Sequence, residues 1–415
     1  MAVVPIRKPR LSFRRGQTPS HVVTVHIALV LIQYKPFGGY ERQAKLLADA
    51  LLAKGHEVTI VSSRWTGIEQ AGLHFLKIPI LKGASWLKVA SFAFFTYVYL
   101  KHFRHRFDQV IAFDRSLGMD SYRAGNGCHR AWLATRWRHQ GLKDRLSIAI
   151  NPLHPIVNRL EKAIFQSIEE KNGTVIVLAP SGIEQIRTYY PLSLHRFIII
   201  PPAVDFSRFQ GQFDDHFRRQ QRALFGIGDD DNVLLHVGSG FRIKGVERII
   251  GALPFLVNSP SKIILMVIGS DKKGQYRCLQ LAKKLGVEKQ VTFVGGVEDV
   301  GRFYAVANLF LLLSLLETFG AVVAEALWFG LPIILGVGVG ATGLINSESI
   351  GRVVDLEMGP ENLAKLITEC LAAEQIAIKT GKRWDLQHQR RLIAQQCQSD
   401  LVINRYLQWI EKTHV

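Results

Sequence analysis

Residues 309–335, LFLLLSLLETFGAVVAEALWFGLPIIL, contain the pattern on which the fold assignment rests. Leu309–Leu313 is an uncharged apolar run that predicts a buried strand, Ala321–Phe329 predicts a short helix, and Pro332–Leu335 predicts the next strand. Consecutive parallel strands need a helical crossover, so strand, helix and strand in this order indicate a parallel sheet covered by helices. The stretch therefore predicts an α/β lobe.

The same alternation runs through both halves of the 415-residue chain, which is long for one domain. We expect two Rossmann-like, doubly wound lobes facing across a cleft, the first over residues 21–202 and the second over 203–384. A basic tail, 1–20, precedes them, and a helical segment, 385–415, is expected to return to the first lobe. Ligands should collect at the carboxyl ends of the strands.

The charge of the chain is high and unevenly distributed. The net charge is +18, yet residues 1–200 hold 28 Lys and Arg against 12 Asp and Glu, while residues 201–415 hold 24 against 22. Such segregation indicates an anionic partner for the first half: nucleic acid, an acidic membrane face or a phosphorylated acceptor.

Two further features concern the compartment and the membrane. Four widely separated cysteines favour a reducing compartment. The run from Val22 to Ile32 behind the basic tail resembles a signal peptide, but no small-residue cleavage site follows, so it is interpreted as the first strand. The uncharged stretch from Val89 to Leu100 is too short to span a bilayer.

Two glutamates in the opening stretch carry the strongest functional signal. Glu317 and Glu325 lie on either side of a strand-to-helix turn, so one can reach a ligand from the loop and the other from the helix. Phe319 and Gly320 between them bring backbone N–H groups to a helix N-terminus, where phosphate is favoured. The alternative is that Glu317 caps the helix and Glu325 is solvated, but an idle carboxylate among apolar neighbours is costly.

Other candidate residues also follow predicted strands. Gly38 and Gly39 lie at a turn before a helix, where backbone can approach a phosphate. Arg242 and Lys244 follow the strand Val233–Val237, where cations could stabilise a departing anionic group. Glycines are common in any turn and isolated lysines are usually solvated, so these signals are strong only together.

Aspartates appear at two places with different interpretations. Asp114 and Asp120 follow the strand Gln109–Phe113, and either could line the cleft or make a local cap or turn bond. The run Asp229-Asp230-Asp231 could suggest a divalent metal site, but it precedes a strand without a partner motif and is interpreted as a polar turn. We expect no metal and no cofactor.

Arginine and tryptophan are mixed in the segment between Arg123 and Lys162. Basic side chains with indoles suit an anionic membrane surface, whereas an ordinary solvated helix or a nucleic-acid patch remains an alternative. The proposed membrane-contact residues are Arg130, Trp132, Arg136, Trp137 and Arg138.

Taken in order along the chain, these motifs resemble the retaining GT-B glycosyltransferases of family 4, whose signature is a Glu-x7-Glu of the type found at Glu317–Glu325. The resemblance covers about residues 22–385. The matching motifs are Pro36-Phe37-Gly38-Gly39, Pro201-Pro202-Ala-Val-Asp205, Val237-Gly238-Ser239 with Lys244-Gly245, Val294-Gly295-Gly296, and the glycine loop Gly336-Val-Gly338-Val-Gly340.

The resemblance implies roles for several residues. It places Glu317 at the donor sugar hydroxyls, Glu325 at the ribose, the glycine loop beside the sugar and Val294 beside the base. It favours Asp120 over Asp114 as a carboxylate near the anomeric carbon. The chain departs from the pattern in having Ile243 directly before the lysine, where relatives often carry arginine; Arg242 is one residue away, which puts its role as a phosphate clamp in doubt.

The resemblance also implies an activity: transfer of a hexose, glucose from uridine diphosphate glucose, to a heptose of the lipopolysaccharide core with retention of configuration. Expected partners are a nucleotide sugar, a lipid-linked phosphorylated oligosaccharide acceptor and an anionic membrane surface, with no nucleic acid, at the cytoplasmic face of the bacterial inner membrane. Three alternatives stay open: another donor sugar or acceptor, a sugar-nucleotide epimerase, and a basic nucleic-acid or membrane-binding module.

Overall fold

The computed structural model describes residues 24–33, 39–66, 70–139, 141–256 and 261–414. The chain forms two α/β lobes, each built on one parallel sheet with apolar clusters on both of its faces. This confirms the two doubly wound lobes predicted from the alternation of strands and helices. The basic tail and Gly38 lie outside the described residues.

The first sheet has seven strands in the order β3-β2-β1-β4-β5-β6-β7. Its strands are β1 (His26–Val30), β2 (Glu57–Ser62), β3 (Leu73–Lys77), β4 (Gln109–Ala112), β5 (Ser121–Arg123), β6 (Thr174–Val177) and β7 (Phe197–Ile199). The apolar runs of the sequence predict strands at Val22–Gln33, His56–Ser62, Gln109–Phe113, Thr174–Leu178 and Phe197–Ile200, which correspond to β1, β2, β4, β6 and β7; they do not predict β3 and β5. The edge strand β3 is only partly buried, and β5 has three residues, one of them the buried Arg123.

The second sheet has six parallel strands in the order β10-β9-β8-β11-β12-β13. They are β8 (Asn232–Val237), β9 (Ile263–Ile268), β10 (Val291–Gly295), β11 (Leu309–Leu312), β12 (Ile333–Gly336) and β13 (Gly351–Val354). The central strands are apolar throughout because both faces of the sheet are covered. The apolar runs Val233–Val237, Ile263–Ile268, Val291–Val294, Leu309–Leu313 and Pro332–Leu335 predict the first five of these strands, and β13, at the edge, was not predicted.

The helices pack on both faces of the two sheets. They are α1 (Gly39–Ala53), α2 (Ser85–Phe103), α3 (His129–His139), α4 (Leu142–Ile150), α5 (Leu153–Glu170), α6 (Pro180–Tyr189), α7 (Asp215–Leu224), α8 (Phe241–Lys244), α9 (Val246–Ala252), α10 (Lys272–Lys284), α11 (Gly301–Val306), α12 (Ala321–Trp328), α13 (Pro360–Lys379), α14 (Arg383–Ala394) and α15 (Ser399–His414). For residues 86–106 the sequence favours a buried helix over a second membrane contact; this segment forms α2, which exposes Phe94 and Tyr97. Among the described residues, no helix is both long enough and apolar enough to cross a bilayer.

The chain passes between the lobes twice, and the two passages are hydrogen-bonded to each other. The amide of Val204 donates to the carbonyl of Cys397 at 2.7 Å, and the amide of Ser399 donates to the carbonyl of Val204 at 3.0 Å. Helix α14 stays with the second lobe against α12, whereas α15 packs on the first lobe beside α1. Within 385–415, the return to the first lobe is therefore made by α15.

Candidate functional site

The carboxyl edge of the second sheet brings Glu317 and Lys244 into direct contact. Lys244 ends the short helix α8 that follows β8, and Glu317 follows β11, the neighbouring strand. The Lys244 Nζ forms an ion pair with the Glu317 Oε2. Both side chains are about four-fifths buried, at 23% and 18% exposure. The structure thus joins the two predicted residues in one charged pair at the cleft.

The glycine loop holds the backbone of Glu317. The amide of Glu317 donates to the carbonyl of Gly338 at 2.8 Å, and the amide of Gly340 donates to the carbonyl of Glu317 at 2.8 Å. A Cβ atom on Gly338 would lie 2.3 Å from the carbonyl oxygen of Leu315, so only glycine allows this approach. The loop therefore fixes where the Glu317 carboxylate begins.

Lys244 is placed by a close backbone approach of the same kind. Gly245 has φ +79°, and a Cβ there would lie 2.3 Å from the carbonyl oxygen of Leu313. Burial lowers the pKa of Lys244 to about 8. At neutral pH the ammonium is still mainly protonated and faces Glu317. A cation held in a partly dry site interacts more strongly with an anionic ligand than one in water.

The turn into α12 presents backbone rather than side chain to the cleft. Gly320 adopts φ +88° before the first helical residue, a conformation in which a larger residue would be strained. The side chain of Phe319 is 4% exposed and packs in the core of the second lobe. Any contact of Phe319 and Gly320 with a ligand would therefore come from the peptide groups at the N-terminus of α12.

Glu325 is buried within α12 and has two polar partners. Its Oε1 forms an ion pair with the Arg208 Nη2, and its Oε2 accepts a hydrogen bond from the Tyr304 hydroxyl at 2.9 Å. Burial raises the pKa of Glu325, while Arg208 and the Tyr304 hydroxyl oppose that rise. The carboxylate is neither solvated nor idle, as the sequence predicted, but the sequence did not indicate its partners.

Val294 lies at the carboxyl end of β10, on the same edge as Lys244 and Glu317. It is half-buried against the core, and the amide of Gly269 after β9 donates to the carbonyl of Gly295 at 2.8 Å. A cavity of about 320 Å³ opens beside this edge, lined by Arg208, Phe209, Gln212, Glu298, Asp299 and Val300.

Arg242 turns away from Lys244 and towards the first lobe. Its Nη1 donates to the Asp144 Oδ2, which lies on α4, at 2.7 Å. Across the same cleft, the Thr318 hydroxyl donates to the carbonyl of Gly125 at 2.9 Å. The lobes are therefore in contact here, and Arg242 is engaged by a first-lobe carboxylate instead of lying beside the Lys244–Glu317 pair.

The first lobe contributes Gly39, the first residue of α1, and Asp114 to the cleft edge. Asp114 is 7% exposed; it accepts a hydrogen bond from the amide of Ile32 at 2.8 Å, and the Tyr40 hydroxyl also donates to it. Burial raises the pKa of Asp114, against the effect of these donors. Because Ile32 follows β1 and Tyr40 lies in the first turn of α1, Asp114 contacts both of these elements.

The placement of Asp120 contradicts a role near the anomeric carbon. Asp120 directly precedes β5, so it lies at the amino-terminal edge of the first sheet, opposite the cleft. Its carboxylate accepts from the amide of Val110 at 2.7 Å and from Arg104 at 2.6 Å. The local-bond alternative was correct, and of the two aspartates it is Asp114 that lies at the cleft edge.

Replacing Asp120 by alanine is expected to lower stability without lowering turnover. The change leaves the amide of Val110 without its acceptor, which costs about 1–3 kcal/mol of unfolding free energy. Replacing Asp114 by asparagine should instead lower kcat/KM by ~10-fold or more, because the carboxylate that contacts both Ile32 and Tyr40 at the cleft edge is lost. Urea unfolding and steady-state kinetics of both variants check this; a D120A protein that is stable but inactive would restore Asp120 to the site.

The five residues predicted to contact a membrane divide into two groups on α3. Arg130, Trp137 and Arg138 are exposed, with 47% of Trp137 accessible. Trp132 is half-buried, and the Arg136 guanidinium lies 4.6 Å from its ring centre. Burial lowers the pKa of Arg136; the nearby Arg242 lowers it further, and the nearby Asp144 raises it. Because Arg242 and Asp144 form an ion pair across the cleft, Arg136 lies on the cleft side of α3.

An apolar stripe on α4 was not predicted. Leu142, Leu146 and Ile150 are 81%, 63% and 72% exposed, and their spacing of four residues places them on one side of the helix. Trp137, on the preceding helix, continues this exposed apolar character. The four-residue spacing of these side chains is visible in the sequence and is the signal by which the stripe could be found.

The aspartate run lies in a turn before β8, away from the cleft, as predicted. The Asp231 Oδ2 accepts from the amide of Gly228 at 2.8 Å. Within the described ranges, no three His, Cys, Asp or Glu side chains are grouped so that they could hold a metal ion.

Comparison with family models gives one match for each lobe. Residues 37–208 match the family described as Glycosyltransferase Family 4, and residues 217–388 match the family described as Glycosyl transferases group 1. The first match ends at Arg208 and the second begins at Phe217, so the two matches meet in the segment that joins the lobes.

Comparison with individual proteins agrees. The chain is 29% identical, over 83% of its length and 89% of the relative's, to the lipopolysaccharide glucosyltransferase WaaG of Escherichia coli. It is 27% identical, over 54% of its length and 59% of the relative's, to N-acetyl-alpha-D-glucosaminyl L-malate synthase of Bacillus anthracis. The crystal structure of WaaG, described as a glycosyltransferase involved in lipopolysaccharide biosynthesis, superposes with a TM-score of 0.72, covering 89% of this chain and 95% of that one.

Proposed function

Because this chain belongs to the group 1 and family 4 glycosyltransferases of GT-B fold, we propose that it transfers glucose from uridine diphosphate glucose to a heptose of the lipopolysaccharide core, with retention of configuration. The observation that carries the proposal is the Lys244–Glu317 pair at the carboxyl edge of the second sheet. It combines a cation for a departing diphosphate with a carboxylate for sugar hydroxyls.

The chemistry follows from that pair. Breaking the bond between the sugar and the diphosphate builds negative charge on the leaving group, and a preorganised cation stabilises the charge where it develops. Lys244 supplies the cation, and the peptide groups at the N-terminus of α12 add their dipoles. These groups act without a metal ion in our proposal, and the leaving phosphate itself helps to deprotonate the acceptor.

Similarity and charge support the acceptor half of the proposal. WaaG is named as a lipopolysaccharide glucosyltransferase, and the chain matches it across both lobes. The basic first half of the chain suits a phosphorylated acceptor, because residues 1–200, the basic tail included, carry +16 of the net charge of +18.

Turnover with a panel of donors tests the proposal. The purified protein is incubated with heptose-terminated lipopolysaccharide and, in turn, with the uridine diphosphate forms of glucose, galactose and N-acetylglucosamine and with guanosine diphosphate mannose. We expect transfer from the glucose donor, dependent on acceptor, unchanged by a chelator, and giving an α-linked product by NMR.

Each alternative has its own outcome in that experiment. Preference for a different donor would identify another transferase of the same family. Conversion of the donor sugar without acceptor would indicate an epimerase. Loss of transfer with the chelator, restored by magnesium, would contradict metal-free chemistry. Salt-sensitive binding to nucleic acid with no turnover would favour the basic binding module.

The exposed side of α3 and α4 is proposed to contact an anionic membrane surface. Arg130 and Arg138 supply positive charge, Trp137 an indole, and α4 the apolar stripe defined above. Cations at headgroup level with apolar side chains inserted beneath them are the features that hold a helix at an interface. This placement would bring the cleft, lined by Asp144 and Arg136, close to a lipid-linked acceptor.

Replacing Leu142, Leu146 and Ile150 together by serine is expected to lower partition onto anionic vesicles by at least ~10-fold, because three aliphatic side chains no longer enter the bilayer. Co-sedimentation with phosphatidylglycerol-containing vesicles measures the effect, with pure phosphatidylcholine for comparison. Kinetics with a soluble acceptor should stay close to wild type.

A matched control for that variant lies on the second lobe. Leu224, Ile376 and Leu392 are also exposed, at 71%, 62% and 49%, and their replacement by serine should leave vesicle binding unchanged. Equal losses in both triple variants, or none in either, would contradict the assignment of the membrane surface to α4.

A further inference from the structure

Arg242 and Lys244 leave the short helix α8 in different directions. They are two residues apart, which separates them by roughly 200° around the helix axis. Lys244 therefore meets Glu317, whereas the Arg242 Nη1 donates to the Asp144 Oδ2 of the first lobe at 2.7 Å. Arg242 and Asp144 stay about one-third exposed, at 35% and 32%. A ligand in the cleft can reach Arg242 without displacing the Lys244–Glu317 pair.

The guanidinium of Arg136, on α3, belongs to the same cluster. Asp144 and Arg242 both act on its charge from nearby. The Arg145 Nε, next to Asp144 on α4, donates at 2.8 Å to the carbonyl of Trp137, next to Arg136, so the two helices are joined at this point. Two cations from opposite lobes thus face the carboxylate of Asp144. Because these three groups carry two positive charges and one negative, the cluster attracts a further anion.

Arg136 is held by a stack of rings on one face of α3. His129, Trp132 and Arg136 follow each other at spacings of three and four residues. The rings of His129 and Trp132 lie 5.4 Å apart at 19°, and the Arg136 guanidinium lies 4.6 Å from the Trp132 ring centre. Burial lowers the pKa of His129 to about 3, so this ring is neutral at neutral pH. A guanidinium held against an indole is preorganised for a ligand.

The cluster lies some distance from the transfer site. Thr318, next to Glu317, donates to the carbonyl of Gly125 at 2.9 Å, and a Cβ on Gly127 would lie 2.8 Å from the Thr318 Cγ2. Helix α3 begins two residues after Gly127, and Arg136 lies seven residues further, roughly 10 Å along the axis. A group bound by Arg136 is therefore remote from the bond that breaks, and it should affect acceptor binding more than the chemical step.

We propose that Arg136 and Arg242, reaching into the cleft from opposite lobes, form a clamp for an oxyanion carried by the acceptor, a phosphate or a carboxylate, and that Asp144 pairs with Arg242 until this oxyanion binds. The inference rests on the proposed function, because it needs a glycosyl acceptor. It adds the residues that select a charged acceptor over a neutral one.

The position of Asp144 gives the proposal a distinctive signature. A guanidinium presents a planar set of donors that suits the oxygens of carboxylate and phosphate alike. The Asp144 carboxylate engages donors of Arg242 and so competes with the oxyanion of a ligand. Neutralising Asp144 should therefore strengthen the binding of a charged acceptor, whereas a residue with a merely structural role would not be improved upon by its replacement.

Calorimetric titration of three soluble acceptors tests the proposal, with UDP at a saturating concentration so that phosphate cannot occupy the donor site. The acceptors are a neutral methyl heptoside, its phosphomonoester, and a heptoside joined to a carboxylated sugar. Wild type is expected to bind at least one charged acceptor ~10-fold or more tighter than the neutral one, the range of hydrogen bonds to charged groups. The charged acceptor that binds more tightly identifies the oxyanion.

Arg136→Met and Arg242→Met should each reduce that preference to within ~3-fold and leave the neutral acceptor little affected. Asp144→Asn should instead tighten the binding of the charged acceptor by ~2- to 5-fold, the range of an exposed ion pair. In transfer assays all three changes should appear in KM for the charged acceptor, with kcat near wild type. Arg277→Met, which breaks the exposed pair with Glu247 on the second lobe, is the matched control and should behave like wild type.

The outcomes separate the two levels of the inference. A wild type that binds none of the three acceptors would contradict the proposed function, and the clamp with it. Equal affinity of wild type for neutral and charged acceptors would overturn the clamp alone. So would a loss of affinity in the arginine variants that is the same for both kinds of acceptor, because it would show a merely structural role. Weaker binding of charged acceptors by Asp144→Asn would contradict the competition between Asp144 and the ligand.

Discussion

Replacing Glu317 by alanine is expected to lower kcat/KM for hexose transfer by at least ~100-fold, the size of effect that follows the loss of one transition-state contact. The change removes the proposed acceptor for the donor sugar hydroxyls, and it removes the anionic partner of Lys244. The buried ammonium would then lose a contact that favours its charged form. Steady-state kinetics at saturating acceptor measure the loss.

Two companion variants make the Glu317 result interpretable. Glu317→Gln keeps the shape and one acceptor oxygen, so we expect turnover between wild type and alanine. Glu348→Ala breaks an exposed pair with Arg352 on the same lobe, and it should turn over like wild type. If Glu317→Ala retained wild-type kcat/KM while folding normally, the assignment of the donor site to this edge would be wrong.

The sequence predicts the central strands well because their burial leaves a plain signal. β8, β9, β11 and β12 are apolar nearly throughout, as strands covered on both faces must be. The edge strands β3 and β13 contain exposed residues, because one side of each strand faces solvent. The short β5 contains polar residues, because three residues are enough to pair with its neighbours. Their existence depends on neighbouring strands, which a local pattern does not show.

The location of Lys244 and Glu317 at one edge could be predicted for a topological reason, although their ion pair was not predicted. Both follow strands of one parallel sheet, and the carboxyl ends of such strands meet at one edge. The same rule failed for Asp120. The short strand β5 starts immediately after this residue, which therefore belongs to the amino-terminal edge. A missed strand of three residues was enough to place a carboxylate on the wrong side of the sheet.

Contacts between distant parts of the chain were beyond prediction from the sequence. Arg208 reaches Glu325, and Asp144 reaches Arg242, only because of how the joining segment and α4 pack on their neighbours. Nothing in the spacing of these residues distinguishes them from solvated charges. The aromatic pairs that fix Arg208 likewise become visible only when Phe206 and Phe209 are seen against α12.

Replacing Lys244 by alanine is expected to lower kcat/KM by at least ~100-fold, because the cation that faces the departing diphosphate is lost. The wild-type pH profile should show why: burial lowers the pKa of Lys244 to about 8, so its charge is present below that value and is lost as the pH rises through it. We therefore expect kcat/KM to fall above about pH 8 in wild type.

Lys244→Arg, whose guanidinium stays protonated, should lose that basic limb even if its turnover is lower. Lys284→Ala, an exposed lysine on α10, is the control and should keep both the rate and the limb. An unchanged basic limb in Lys244→Arg would show that another group titrates, and wild-type turnover in Lys244→Ala would mean that the leaving group is stabilised elsewhere.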